Sequence, residues 1–374
     1  MADRVVKVDI ASLYPSLMIA YRIGPASDRL GALLHVVGRV LELRLAHKAA
    51  AKEAPAGSSE GGTHGAMAAA MKLLINSAYG YMGAGSLAVF SDRRAADEVT
   101  RRGRAILDSL VEALRARGVA LIEADTDGVY FSVPAGTTEA DERALVAGVA
   151  AGLPAGIRLE YEGRFVAMFS HEVKNYALLT ASGEVILRGV ALRSSRTEPF
   201  GERFLREALR RTMGGDIVGL RATFLEAAAA IRRRALPVSA VATRTRITKT
   251  PEAYLTSRAG HREPAYEALL AAGRARWTPG ERVRYYRAQG GGYVLLPDED
   301  DGAAATADRR DYDAEHYVGV LVSSYASRLR KAFAPQDFER IFALEEQLGH
   351  FDRPLASLSP RWIRAEPPAR GPGG

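Results

Sequence analysis

Residues 4–16 read R-V-V-K-V-D-I-A-S-L-Y-P-S, and the way this stretch divides sets the fold. Arg4–Ile10 is short, β-branched and apolar, the pattern of a buried strand. It ends on an acid, Asp9, and a Tyr14-Pro15 corner follows, where the fixed φ of proline stops an extended run. An aspartate at a strand end ordinarily serves local hydrogen bonding. Asp9 therefore gains meaning only from the segments that surround it.

Working outward, residues 30–52 carry Leu33, Leu34, Val37, Leu41 and Leu45 on one stripe and predict a helix. The Gly/Ser-rich stretch 54–65 has no periodicity and predicts a mobile loop. A second helix is expected from Ala66 to about Ser77, so that the two form a projecting antiparallel hairpin. Residues 92–117 predict another helix. V-A-L-I-E-A, D-T-D-G and V-Y-F-S-V (119–133) then read as a β-hairpin with Asp127-Gly128 as its turn signal. A helix at 139–153 and strands near 157–162, 165–170, 174–180 and 184–188 complete an α+β module. From Phe200 the pattern is mainly helical, with a strand-like piece at 283–296, an acidic Ala/Gly-rich loop at 297–308 and a tail at 364–374 that composition predicts to be disordered.

The composition fits this picture. The chain has 374 residues, 47% of them hydrophobic and 25% charged, which excludes wholesale disorder. It contains no cysteine, which removes disulfides, Cys-ligated zinc and thiol nucleophiles from consideration. No apolar run suits a leader or a bilayer span, so the reading is a soluble cytoplasmic protein without a membrane partner. The net charge of +7 is concentrated: residues 188–249 hold 14 basic and 5 acidic side chains, a net +9. Such a segment is either a pair of solvated helices or a face that neutralises phosphates.

Four short strings in register sharpen these readings. Asp9–Ser16 is D-I-A-S-L-Y-P-S, and Lys72–Gly80 is K-L-L-I-N-S-A-Y-G, with Lys72, Asn76 and Tyr79 on one helical face. Asp125–Gly128 is D-T-D-G, and Lys174-Asn175-Tyr176 follows. In order and spacing these resemble motifs A, B and C and the K-x-Y element of family B (polymerase-alpha-like) DNA polymerases. Ile247–Tyr254, Pro279–Tyr286 and Asp313–Tyr317 resemble the same family more loosely.

The resemblance implies an α+β right-hand polymerase core: an antiparallel-sheet palm (1–22 and 92–199), a two-helix fingers hairpin (23–91) and a mainly helical thumb (200–363). It implies nucleotidyl transfer from a dNTP to a primer 3′-hydroxyl, with primer–template DNA and dNTPs as partners and a nucleoid-associated location. Asp9, Asp125 and Asp127 would be the catalytic acids. Two Mg²⁺ ions, replaceable by Mn²⁺, would sit on Asp9, Asp127 and the Ile10 carbonyl, because such chemistry needs hard oxygen ligands. Arg44, Lys48, Lys72 and Asn76 would hold the triphosphate. Tyr14 would lie under the sugar as a steric gate against ribonucleotides, and Tyr79 against the nascent base pair. Lys174, Tyr176, Arg188, Arg193, Arg244, Arg246 and Lys249 would contact DNA.

Three departures from the family pattern matter. Gly128 stands where serine is usual, with relief of turn strain as the expected reason. R-G-V-A-L-R-S-S-R (188–196) lacks the acid of the family's K-G-…-R-R-D-like run, leaving Arg188, Gly189 and Arg193 as remnants. Motif A begins at residue 9, so neither an N-terminal domain nor a proofreading exonuclease precedes it within this sequence. A separate polypeptide supplying those parts, as in a split enzyme, and a non-catalytic polymerase-derived DNA-binding protein both remain open. Only 55 residues separate Ser16 from Lys72, enough for a plain helical hairpin, which argues against protein priming.

Overall fold

A computed structural model describes residues 1–55, 57–85, 88–193, 198–297, 308–345 and 353–365. The chain forms two compact units, one of Arg4–Arg164 with the stretch from Ile363, the other of Met1–Asp3 and Phe165–Trp362.

In the first unit, β1 (Ala2–Ile10), β2 (Ala120–Asp125), β3 (Gly128–Ser132) and β4 (Leu159–Glu172) lie in the order β2-β3-β1-β4. β3 is buried along its whole length. It pairs antiparallel with both neighbours, in a register that sets Val5 opposite Ser132 and Asp9 opposite Gly128. Val6, Val8, Ile10, Val129 and Phe131 pack against α4 (Arg93–Arg115) through Val99, Ile106, Leu110 and Leu114. Each such side chain, fully buried, contributes about 1.5–3 kcal/mol. The helical spacing read over 92–117 therefore marks a true core face, and Asp92 caps it by accepting from the Ala95 amide at 3.0 Å. α1 (Leu13–Ala20) follows the Asp9 strand, and α5 (Glu139–Ala150) precedes β4.

The helical hairpin is α2 (Ala32–Glu53) and α3 (Ser59–Met82). Here the structure corrects the expected loop at 54–65, because α3 begins seven residues before Ala66. Ser58 accepts from the Gly61 amide at 3.1 Å, giving the helix a proper start. Gly61, Gly62 and Gly65 then remain helical because α3 packs along α2, and tertiary contact outweighs propensity. His47 and His64 meet across this part of the hairpin, their Nδ1 atoms 2.7 Å apart.

In the second unit, the distal part of β4 pairs with β5 (Asn175–Leu179), which pairs with β6 (Val185–Arg188). The two strands expected at 157–162 and 165–170 are thus one continuous strand. α6 (Pro199–Met213) and α7 (Ile217–Arg232) build a core with Phe204 and Phe224, their rings 6.1 Å apart. Beyond the short α8 (Val238–Val241) lies a second sheet of β7 (Thr243–Arg246), β8 (Arg282–Arg287) and β9 (Tyr293–Leu296). The strand-like piece at 283–296 is thus two strands, and β7 completes a three-stranded sheet. α9 (Pro251–Ser257) and α10 (Pro264–Ala271) fall between β7 and β8. After α11 (Ala314–Val320) the chain widens into a π-helical turn, Leu321–Tyr325, then tightens into a 3₁₀ stretch, Ala326–Ala332, before α12 (Pro335–Ile341). Most of the acidic loop and residues 366–374 of the expected tail lie outside the described residues.

Candidate functional site

A cavity of about 680 Å³ in the first unit gathers side chains from both sides of the chemistry expected of the motifs. Its lining includes Asp9 and Asp127, and also Arg44, Lys48, Lys72, Asn76, Tyr14 and Tyr79.

The β1–β3 ladder positions the acids. Asp9 is the last side chain but one of β1, and Asp127 belongs to the two-residue Thr126–Asp127 connection of the hairpin. The Ile10 amide donates to the Asp127 carbonyl at 2.6 Å, holding the two segments together. Burial, with the nearby Asp127 and Glu162 carboxylates, raises the Asp9 carboxyl to about 6 against the opposing pull of Lys7 and Lys72. Lys7 Nζ stands 4.0 Å from Asp9 Oδ1.

Gly128 has a reason other than the expected one. Its backbone is not left-handed; instead a Cβ there would come within 2.8 Å of Asp9 Oδ1 and 3.2 Å of the Val8 carbonyl. Glycine leaves room for the Asp9 carboxylate.

The cations come from the hairpin. Arg44 and Lys48 lie one turn apart on α2, and Lys72 and Asn76 one turn apart on α3. Arg44 donates through Nη1 to Ser12 Oγ at 2.6 Å, and Ser12 is held in the left-handed region at φ 50°. Tyr14 and Tyr79 approach at 4.5 Å between ring centroids, with planes tilted by 38°. Tyr14 also lies against α4, where a Cβ at Gly103 would meet it at 3.3 Å. Tyr79 makes a 3.3 Å hydrogen bond with the Thr100 hydroxyl.

Two carboxylates in the cavity escaped the sequence reading. Lys48 forms an ion pair with Glu160, and its Nζ is 3.7 Å from Glu162 Oε1. Both glutamates follow from strand alternation in L-E-Y-E-G (159–163). Tyr161 between them donates to Glu142 of α5 at 2.7 Å, anchoring that strand from its other side. The alternation was the available signal.

Asp125 is not among the lining residues. Its carboxylate accepts from the Thr126 amide at 2.7 Å and from the Thr126 hydroxyl at 3.1 Å. The DTD acids therefore do not converge as residues two apart on one strand, because Asp127 lies in the turn.

The residues expected to touch DNA are all in the second unit. Lys174, at φ 64°, occupies the β4–β5 turn, and Tyr176 faces Arg188 across the β5–β6 ladder. Arg193, Arg188, Arg244 and Arg246 are exposed. Lys249 is ion-paired with Glu263 at 2.6 Å. Two further arginines join the group: Arg284 stands opposite Arg244 and Arg282 opposite Arg246. Like charges directly opposed across a ladder repel one another. Elsewhere in 188–249 the charge is offset locally, since Arg210 and Arg211 pair with Glu207 and Arg211 also with Asp216. Arg221 is buried and donates to the Ile341 carbonyl at 3.0 Å.

Among the described residues no three His, Cys, Asp or Glu side chains converge as a ready-made metal cage. The donor set of Asp9 and Asp127 fits a hard cation that keeps water and phosphate in its shell. A cation there would offset both the burial and the Asp127 charge that raise the Asp9 carboxyl. Among the described residues no helix is long and apolar enough to cross a membrane.

Comparison with known proteins identifies the family. The profile of DNA polymerase family B matches residues 25–335, and the chain belongs to that family. A DNA polymerase of Thermococcus sp. (strain 9oN-7) is 25% identical over 93% of this chain and 47% of its own length. DNA polymerase 1 of Pyrococcus abyssi (strain GE5 / Orsay) is 30% identical over 51% of this chain and 28% of its own. In fold, the chain resembles the family B DNA polymerase of the hyperthermophilic archaeon Pyrobaculum calidifontis, with a TM-score of 0.62 at 20% identity, over 93% of this chain and 46% of that one. The chain thus spans about half the length, or less, of these relatives.

Proposed function

We propose that this chain performs template-directed DNA synthesis, joining a dNTP to a primer 3′-hydroxyl. The observation that carries the reading is one cavity in which Asp9 and Asp127 share the lining with Arg44, Lys48, Lys72 and the Tyr14–Tyr79 pair. In this reading residues 1–22 and 92–199 are the palm, the α2–α3 hairpin the fingers, and residues 200–363 the thumb.

Asp9 and Asp127, with the Ile10 carbonyl, would hold divalent cations, Mg²⁺ or Mn²⁺. When bound, such ions lower the pKa of the attacking hydroxyl and stabilise the leaving pyrophosphate. The chain's own residues do the rest. Lys72, Arg44 and Asn76 bind the triphosphate and offset the charge that develops on it, already placed before reaction. Lys48 joins them once a phosphate competes for it with Glu160 and Glu162. Tyr14 closes the space beside the sugar where a 2′-hydroxyl would sit, and Tyr79 supports it. Asp125 shapes the turn that presents Asp127. In the second unit the opposed Arg244/Arg284 and Arg246/Arg282 pairs suit a phosphate backbone, as do Lys174, Tyr176, Arg188, Arg193 and Lys249, without reading sequence.

The test is extension of a primed template by the whole chain, with Mg²⁺ and dNTPs, beside Asp127→Ala. Wild type should extend, and the variant should lose activity by roughly 10³-fold, the scale of removing a central electrostatic group. No extension by wild type, or equal extension by both, would defeat the proposal.

A further inference from the structure

The second unit holds a cavity that the nucleotidyl-transfer reading does not use. Its volume is about 350 Å³, near the lower end for small-ligand pockets and enough for one nucleotide. The wall combines two features. One is aromatic: Tyr285 and Tyr293, from β8 and β9, stand edge to face with centroids 5.9 Å apart. The other is cationic, from Arg287 and Arg328.

Both arginines carry a buried nitrogen without a hydrogen-bond partner, Arg287 Nε and Arg328 Nη1, but their charges are matched differently. Arg287 has a carboxylate beside it, with Nε 3.1 Å from Asp313 Oδ2. Arg328 has the Tyr325 ring instead, 5.1 Å from its centroid. A buried guanidinium nitrogen left unmatched is costly unless something supplies an acceptor. The carboxylate in the wall, Glu198, is already engaged. Its oxygens accept from the Tyr325 hydroxyl at 2.6 Å and the Thr243 hydroxyl at 2.7 Å. His316 and Tyr317 also line the cavity, and burial with Arg287 nearby holds the His316 pKa below the usual histidine value.

The backbone is shaped for this wall. The π-helical turn Leu321–Tyr325 lies between Val320 and Arg328, both of which line the cavity. Wide turns of this kind commonly re-aim side chains at functional sites. Tyr325 fits only because residue 201 is glycine, since a Cβ there would stand 1.9 Å from the Tyr325 ring. The turn, the glycine and the Glu198 bonds hold Tyr325, and Tyr325 in turn lies beneath Arg328.

From this arrangement we infer that the cavity binds a single unpaired nucleotide. Its phosphate would lie on Arg328 and its base against Tyr285 and Tyr293, the pairing of cation and aromatic platform that suits unstacked nucleic acid. The ligand could arrive free or as the end of a strand, and the chemistry is shared. This inference does not depend on the nucleotidyl-transfer reading, because every lining residue belongs to the second unit.

The test uses the full chain in EDTA, so that binding dependent on divalent cations is silent. Fluorescence anisotropy competition would compare a 5′-phosphorylated thymidine dinucleotide, the same dinucleotide without the phosphate, free TMP and inorganic phosphate. Removing the phosphate should weaken binding about tenfold or more, and inorganic phosphate alone should bind much less tightly than TMP. Equal binding of TMP and the phosphorylated dinucleotide supports a free ligand; preference for the dinucleotide supports a strand end. Arg328→Gln should weaken the phosphorylated ligands about tenfold, Arg328→Lys should retain most of the affinity, and Lys72→Ala should leave it unchanged.

A readout on the unmutated chain guards against a variant that fails to fold. Photo-crosslinking with 5-iodo-dUMP should place its adduct on Tyr285 or Tyr293. Absence of saturable binding, indifference to the phosphate or to Arg328, loss with Lys72→Ala, or adducts confined to other residues would each overturn the inference.

Discussion

Gly128→Ser restores the residue usual in the family's motif C, and the structure predicts that it harms this protein. A Cβ at position 128 would lie 2.8 Å from Asp9 Oδ1, 3.2 Å from the Val8 carbonyl and 3.8 Å from Asp9 Cγ. The first contact is too close for any real side chain, so the Asp9 carboxylate must rotate. The second involves a backbone oxygen next to the Asp9–Gly128 pair and can yield only by a few tenths of an ångström. Because most of the overlap falls on the end of a side chain, the stability cost should be modest, about 1 kcal/mol, at the low end for overpacking. That corresponds to a melting shift of roughly 1 °C for a chain of this size. The catalytic cost should be larger, since a displacement approaching 1 Å at a reacting group costs on the order of 10²-fold. Single-turnover primer extension at saturating dNTP reads the rate, and calorimetry reads the stability. Gly128→Ala should behave alike, because the Cβ and not the hydroxyl causes the clash. Wild-type rates and melting in both variants would refute the reasoning and place the Asp9 carboxylate elsewhere.

Three further outcomes follow from the same cavity. Without divalent cations, the raised Asp9 carboxyl favours the fold below pH 4, and that contribution is lost as pH rises through about 6. Asp9→Asn should therefore raise stability at pH 7–8 by up to about 2–3 kcal/mol and flatten the melting profile between pH 4 and 6, measured in EDTA; an unchanged profile would remove Asp9 as its source. Glu160→Gln loosens the partner that holds Lys48, so the dNTP KM should fall two- to fivefold with little change in kcat, the scale of a partly exposed ion pair at about 0.5–1 kcal/mol; a raised KM would contradict the competition. Tyr14→Ala should increase ribonucleotide incorporation relative to dNTP, scored by alkaline cleavage of extended products, and no increase would free Tyr14 of the gate role.

Much of the site was legible because its signals are local. Strand, acid and corner lie within residues 4–16, and one helical turn separates Lys72 from Asn76. What stayed hidden depends on pairing between distant segments. The β7 sequence T-R-T-R has no apolar alternation, and only its partner β8 makes it a strand. The arginine pairs exist only through that register. The start of α3 was obscured by glycines, whose poor helix propensity is outweighed by packing against α2. Glu160 and Glu162 were visible in the alternation but had no role until Lys48 was seen beside them. The reason for Gly128 could not be read from its own turn, because the atom that demands it belongs to Asp9.

The hydrogen bond from Ile10 to the Asp127 carbonyl, with Asp9 opposite Gly128, makes the acidic pair a product of strand register. Side chains alternate along a strand, so a slip of one residue between β1 and β3 would turn Asp9 toward the core and bring a hydrophobic neighbour out in its place. A misregistered chain would then be compact and yet chemically silent. In the proposed function, catalytic competence would thus double as a quality check on folding, passed only when two strands more than a hundred residues apart have found their one correct alignment.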